Sequence, residues 1–379
     1  MGVLFVMPNW KSYSETWMQR MIAALDPHIA AIAAYAPDAK KWADIPVIPL
    51  GLQPLWRRGA HKLAPLLFSP ASDLGTLQTA FSRKDVTCAL VHYLDFALKF
   101  EEVWQKIDKP VFVHCHGYDV TWNLRYDNPP YGKYFDDGYP AAVRRLSQRA
   151  MLIANSHSTA SELFEIGVAE NRVEVKHLGV PVPAPSQKRS ATISNIKILY
   201  LGRLVDFKAP NVVIEAFNAA CDAGLDGTLT IAGDGELRLM CELMRLRSRY
   251  ADRIQLLGAV DASEAQDLYE EADIFTSHCC TGPFTQQVEA FGVSIIEAMA
   301  AALPVITGRS GGVVETVVHG ETGILVEPGN VQAHAEALLL LARDPELRHS
   351  MGGAGRQRIQ ESFSWEQEKA ALLRLLNLV

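Results

Sequence analysis

The sequence predicts an α/β protein made of two parallel-sheet domains, and three observations carry that expectation. Short apolar runs alternate with amphipathic segments along the whole chain, the pattern of parallel strands joined by crossover helices. At 379 residues the chain is longer than a single core usually organises. Between its halves lies Pro181-Val182-Pro183-Ala184-Pro185-Ser186-Gln187-Lys188-Arg189-Ser190, closely spaced prolines followed by a polar, charged run, which reads as a linker. The boundary is placed there, with residues 1–185 in the first domain and 190–363 in the second.

Composition is that of an ordinary soluble protein, 49% hydrophobic and 21% charged, with material for two cores. No window approaches 18 uncharged apolar residues, so no transmembrane helix is expected. The six cysteines form no CxxC pair and several sit in apolar contexts, which points to reduced thiols and a cytoplasmic chain. The net charge of −7 is uneven: residues 1–189 hold 21 Lys/Arg against 18 Asp/Glu, and residues 190–379 hold 15 against 25. A surplus of three positive charges is too small to imply a nucleic-acid partner. It leaves open a merely solvated surface or contact of the first domain with an anionic acceptor or the inner face of a membrane.

The first strand is Gly2-Val3-Leu4-Phe5-Val6-Met7, too short and lacking the basic lead of a signal peptide. Ser12 with Glu15 fits a capping box ahead of an apolar helix face, Trp17, Met18, Met21, Ile22 and Leu25. Residues 86–94 and 110–113 read as further strands, the second running into His114-Cys115-His116-Gly117-Tyr118-Asp119. Polar groups just past the end of a parallel strand lie where open α/β sheets bind ligands. His-x-His raises the question of a metal, but the spacing shows no third ligand nearby, and none is expected. Residues 118–140 form a long aperiodic loop. A helix over 141–150 carries Arg144, Arg145 and Arg149, a basic face open to solvent, an anionic acceptor or a membrane.

In the second half, residues 196–200 open a new sheet and lead into Gly202-Arg203-Leu204-Val205-Asp206-Phe207-Lys208. Residues 229–232 run into Gly233-Asp234-Gly235-Glu236, where Arg238 stands in the third glycine's place of a dinucleotide fingerprint and so excludes it. The strand 254–258 ends in Gly258-Ala259-Val260, and the strand 272–277 leads to a long loop at 279–288 beginning with Cys279-Cys280. After it comes the most informative stretch, Val288-Glu289-Ala290-Phe291-Gly292-Val293-Ser294-Ile295-Ile296-Glu297-Ala298-Met299. Gly292 separates a loop carboxylate, Glu289, from a helix beginning near Ser294, with Glu297 in its first turn and Pro304 at its end. Free N–H groups at a helix start bind anions, and a glycine before it lets a phosphate approach. A loop carboxylate, an anion site and a second carboxylate together suit a phosphorylated sugar.

This stretch resembles the Glu-x7-Glu signature of retaining glycosyltransferases of family 4. The resemblance continues through Ser310-Gly311-Gly312-Val313-Val314-Glu315 and His319-Gly320-Glu321-Thr322-Gly323-Ile324-Leu325-Val326, and covers most of residues 195–366. It implies a GT-B fold, two Rossmann-like domains facing a central cleft, with a last helix (364–379) returning to the first. The first domain would take the acceptor and the second the nucleotide-sugar donor. It further implies a metal-independent hexosyl transfer from a UDP- or GDP-sugar to a glycan, lipid-linked glycan or small-molecule acceptor, as in cell-surface polysaccharide synthesis. No separate cofactor is implied, since the nucleotide sugar is a substrate.

By the same resemblance Arg203 and Lys208 meet the diphosphate, Glu289 the sugar hydroxyls, Glu297 the ribose and His116 the transferred sugar. Gly202, Ala259, Phe291, Gly292, Val293 and Ser294 line the donor. Ser14-Glu15-Thr16-Trp17 is similar to a Ser-Glu-Thr-Phe found in one branch. Two departures are Lys208-Ala209 where the family has Lys-Gly, and the length of the 279–288 loop. A sugar phosphorylase or nucleotide-sugar epimerase would share the architecture, as would a non-catalytic sugar-nucleotide-binding protein.

Overall fold

The computed structural model describes residues 2–8, 16–35, 41–51, 70–122, 138–184 and 192–378. The capping-box residues Ser12 and Glu15, together with Ser14, the body of the loop after Trp122, and residues 185–190 of the linker fall outside that set. The chain forms two compact units, one of residues 1–155, 160–176 and 369–379, the other of 156–159 and 177–368. Apart from the short excursion at 156–159, the chain crosses at Lys176/His177, ahead of the proline-rich stretch, and the last helix is shared at 368/369.

The first unit is built on β1 (Gly2–Met7), β2 (Ile29–Ala34), β3 (Lys41–Trp42), β4 (Ile45–Pro49), β5 (Val86–His92), β6 (Val111–His114), β7 (Met151–Ala154) and β8 (Val173–Val175). Their order is β3-β4-β2-β1-β5-β6-β7-β8, parallel except for the β3–β4 pair. Helices α1 (Thr16–Leu25), α2 (Pro70–Ser82), α3 (Leu94–Leu98), α4 (Glu101–Lys106), α5 (Tyr139–Ser147) and α6 (His157–Glu165) make the crossovers. Every residue of β1 is buried, as a strand covered on both faces must be, which is why it reads as an unbroken apolar run. The order reverses between β1 and β5, so this sheet's crevice opens where β5 ends, at His92.

α5 stops at Ser147, and its two arginines, like Arg149 just beyond it, have structural partners. Arg145 pairs with Glu101 at 2.8 Å, Arg144 donates to the Ile166 carbonyl and Arg149 to those of Ile107 and Lys109. Arg144 and Arg145 nonetheless remain exposed, so the basic face is solvated while each guanidinium keeps a partner.

The second unit's sheet has the order β11-β10-β9-β12-β13-β14, all parallel: β9 (Ile196–Leu201), β10 (Gly227–Ala232), β11 (Ile254–Gly258), β12 (Ile274–Thr276), β13 (Val305–Gly308) and β14 (Gly323–Val326). Around it lie α7 (Pro210–Asp222), α8 (Arg238–Arg247), α9 (Ala262–Glu271), α10 (Val293–Ala300), α11 (Val313–Thr316), α12 (Val331–Arg343), α13 (Pro345–Ser362) and α14 (Trp365–Leu375). Strand periodicity divides the core between the two faces. Ile196, Ile198 and Tyr200 of β9 pack with α7 and α12, while Leu199 packs with α10 and Ile359 of α13. Here the order reverses between β9 and β12, and the loops leaving those two neighbours carry the candidate site.

Candidate active site

The loop after β9 brings Lys208, and the loop after β12 brings Glu289. The two side chains meet across the reversal point, Nζ to Oε2, at 2.5 Å, with only 15% and 12% of their surfaces exposed. Burial disfavours a charged Glu289, yet the charge and hydrogen bond of Lys208, with the charge of Arg203, hold its carboxyl below the usual range. Glu289 also accepts the Gly292 N–H at 3.2 Å. Arg203 is exposed, its guanidinium 5.6 Å above the Phe207 ring. Gly202 lies close by: a Cβ there would sit 3.4 Å from the Lys208 side chain.

Gly292 begins α10 in the left-handed region, φ 87°, which an L side chain adopts at a cost. Its carbonyl takes the first helical bonds, from Ile295 and Ile296. Among the described residues the N–H groups of Val293 and Ser294 have no acceptor, so two donors of the kind that can meet an anion follow Gly292, itself bonded to Glu289.

Helix α10 starts at Val293, which moves Glu297 from the first turn, where the sequence suggested it, to the second. Its partner was not legible in the sequence. The Tyr269 hydroxyl, on α9, lies 3.2 Å from Glu297 Oε2 and 3.1 Å from the Ser294 carbonyl, so one proton serves two acceptors. Burial, reinforced by Glu297, pushes that phenol well up and keeps it protonated. Phe291 is 1% exposed and stacks on His177 at 5.5 Å, so its ring belongs to the core and only its backbone borders the site. Ala259 is exposed at the end of β11.

Two further supports escaped the sequence reading. Asp206 accepts the N–H groups of Phe284 and Thr285 on one oxygen and the Thr285 hydroxyl on the other, at 2.8–3.0 Å. The long loop at 279–288 is thereby tied to the turn that carries Lys208. Beneath Glu289, a Cβ on Gly311 would lie 2.0 Å from the Glu289 carbonyl, and one on Gly312 2.0 Å from that of Ala290, so only glycine fits either place. Cys279 is 1% exposed, and burial pushes its thiol up to about 11, consistent with a packing role.

In the first unit His116 follows β6, its ring stacked on Trp17 at 4.1 Å. Asp119 fixes the backbone there, accepting the N–H groups of His116, Gly117 and Leu94 at 2.9–3.0 Å, while burial pushes its carboxyl up to about 7. The expectation that His-x-His lacks a third ligand is corrected by the fold. His92, at the end of β5, points Nδ1 at His116 Nε2 from 2.8 Å, and His114 Nδ1 lies 2.7 Å from the same atom. Burial keeps all three imidazoles neutral, as ligands must be. Two features weigh against a divalent ion. The Nε2 atoms of His92 and His114 are buried without the carboxylate or carbonyl that normally backs a metal-bound imidazole, and the charge of Lys176 bears on all three rings. A second cluster joins His177, His157 and Glu315, whose carboxylate accepts His177 Nε2 at 3.1 Å and the His157 and Ser158 N–H groups at 2.9 Å.

The model of the family described as glycosyl transferases group 1 matches residues 186–358, the span that holds Lys208, Glu289 and Glu297. A GDP-mannose-dependent monoacylated alpha-(1-6)-phosphatidylinositol monomannoside mannosyltransferase of Corynebacterium glutamicum is 33% identical over 269 residues, 68% of this chain and 67% of that protein. The chain belongs to the group 1 glycosyl transferases. A second relative, the GDP-mannose-dependent alpha-(1-6)-phosphatidylinositol monomannoside mannosyltransferase of Mycolicibacterium smegmatis, is 32% identical over 70% of each chain.

Solved structures agree on the fold of this glycosyltransferase. Anabaena HepE, crystallised with UDP and glucose, aligns over the full length of both chains with a TM-score of 0.76 at 19% identity. Sucrose-phosphate synthase of Thermosynechococcus elongatus covers 100% of this chain and 99% of its own, with a TM-score of 0.74 at 18% identity. These likenesses establish the GT-B type of fold. Among the described residues no helix is long and apolar enough to cross a membrane.

Proposed function

We propose that this glycosyltransferase is a retaining, metal-independent enzyme of family 4 that moves mannose from GDP-mannose to a lipid-linked mannoside. The observation that carries the reading is the join of Lys208 and Glu289 beside the two open amides of Val293 and Ser294. Such a site offers fixed positive charge and oriented N–H groups to a diphosphate, the electrostatic help a metal would otherwise give its departure. Arg203, exposed nearby, adds a planar fork suited to phosphate oxygens. Glu289 sits beside that anion site, suited to accept hydrogen bonds from the transferred sugar's hydroxyls.

Glu297, held by Tyr269, is assigned to the ribose, and the turn at Gly258-Ala259 to the base. By resemblance, His116 contacts the sugar. GDP-mannose and a lipid acceptor are preferred because the mannosyltransferase relatives carry both in their names. Attack on the face from which the diphosphate departs retains the anomeric configuration without a protein nucleophile. The test is transfer from GDP-mannose and from UDP-glucose to mannosylated phosphatidylinositol, with the new linkage read by proton NMR. An α-linked mannoside from GDP-mannose supports the reading. A β-linked product removes retention, and transfer from UDP-glucose alone removes the donor.

A further inference from the structure

We propose that the outward face of α8 docks the enzyme on an anionic lipid surface. The helix Arg238–Arg247 fully buries only Cys241, and its outer face is apolar. Leu239, Leu243 and Leu246 are 70%, 51% and 64% exposed, with Met240 beside them at 38%. Positions 239, 243 and 246 follow the i, i+4, i+7 spacing of one helix stripe. A single exposed leucine is unremarkable, but three in a row along a helix are not.

The charge around the stripe selects the occupant. Five of the fifteen Lys/Arg of residues 190–379 fall within 238–253, in a half of the chain that is otherwise acidic. Arg247 flanks the stripe and has no ion-pair partner among the described residues. Arg238, Arg245 and Arg249 pair with Asp234, Glu242 and Asp222 in accessible surroundings, where such pairs are weak and readily exchanged for lipid phosphates. Leucines that enter the acyl boundary, flanked by guanidinium groups at headgroup level, are the pattern of an interfacial helix. A second copy of this chain fits less well, because pairing two such stripes would gather the flanking arginines of both copies at one interface, where like charges repel.

The face is also placed for the task. Its first residue, Arg238, lies against the turn at the end of β11, 3.2 Å from where a Gly258 Cβ would be. The stripe therefore begins beside the strand-end edge of the sheet that carries the candidate site. The inference adds a docking face to the lipid-acceptor reading and rests on it for its purpose.

Flotation of the full-length protein with vesicles tests it, without donor or acceptor. The wild type is expected to float with mixed phosphatidylglycerol–phosphatidylcholine vesicles and poorly with phosphatidylcholine alone. Leu239→Gln with Leu243→Gln should cut binding by about tenfold or more. Arg247→Gln should lower it on the anionic vesicles only, and raised salt should do the same. The substituted side chains are exposed, so an unchanged unfolding temperature certifies the variants. Binding that survives the double leucine change, or a wild type that floats with neither vesicle, overturns the proposal. So does a dimer by light scattering that the same change dissolves, because the partner is then a second copy. Mannose transfer to a water-soluble mannoside is read in parallel. Its failure counts against the function, and its persistence without vesicle binding counts against docking alone.

Discussion

Replacing Lys208 by methionine keeps the length of the side chain and removes its charge, leaving Glu289 almost enclosed with an uncompensated negative charge. Breaking a buried pair from one side costs about 3–5 kcal/mol. Glu289 keeps the Gly292 N–H and a 12% opening to water, so a loss of about 3 kcal/mol, the lower end, is expected. For a unit of this size that is a fall of roughly 6–12 °C in the unfolding temperature. Adding Glu289→Gln removes the stranded charge, so the double variant should regain about 2 kcal/mol over Lys208→Met alone.

The pH dependence has a definite sign. The carboxyl is held below its ordinary 4.5 in the folded protein, so its stabilisation is complete above about pH 4.5 and fades as the pH falls below that value. Without Lys208, burial lifts the carboxyl's pKa and lets it take up a proton sooner, so the deficit of Lys208→Met should shrink between pH 7 and pH 4. Scanning calorimetry of the wild type, both single variants and the double variant across that range measures each quantity. Additive effects within about 0.5 kcal/mol and a deficit that ignores pH would refute the claim that this contact is a coupled buried ion pair.

Glu297→Ala should weaken GDP binding by about ten- to a hundredfold, while Glu289→Ala leaves it nearly intact and lowers turnover. Calorimetric titration beside rate measurements separates the two, and equal loss of GDP affinity would move Glu289 to the nucleotide. Transfer should persist in excess EDTA and gain little from magnesium or manganese, and an absolute metal requirement would remove the role given to Lys208 and the α10 amides. Gly312→Ala should cost about 1–3 kcal/mol and reduce turnover, because the new methyl meets the Ala290 carbonyl. An unshifted unfolding temperature would show that the loop gives way freely.

The sequence displayed the parallel sheets because strands covered on both faces must be apolar throughout, as β1 is. It also displayed Lys208, Glu289 and Gly292 as single features. What it could not display was their meeting, which depends on β9 and β12, remote in sequence, becoming neighbours. The same limit hid Tyr269 behind Glu297, Asp206 behind the 279–288 loop and His92 behind His116, each a contact between segments at least 24 residues apart. Helix periodicity showed Arg144, Arg145 and Arg149 to be near one another but said nothing of the carbonyls and carboxylate that hold them. Glu297 lies one position further into the helix than the sequence suggests, because Gly292 enters the helix directly and no residue type marks whether the first helical position is 293 or 294.

The Gly311-Gly312 pair has a practical consequence. Because main chain rests on main chain beneath Glu289 and Ala290, no side-chain volume sets the height of that loop, and none can be exchanged to adjust it. The platform is a fixed datum against which everything above it varies. A mutational library meant to alter sugar preference should leave these two positions untouched and draw its diversity from the 279–288 loop. That loop is fastened to the Lys208 turn by Asp206, which takes the Phe284 and Thr285 N–H groups and the Thr285 hydroxyl, and by the Cys280 N–H on the Phe207 carbonyl. Thr285 should therefore stay, while the 78%-exposed Phe284 side chain is varied above a main-chain clamp.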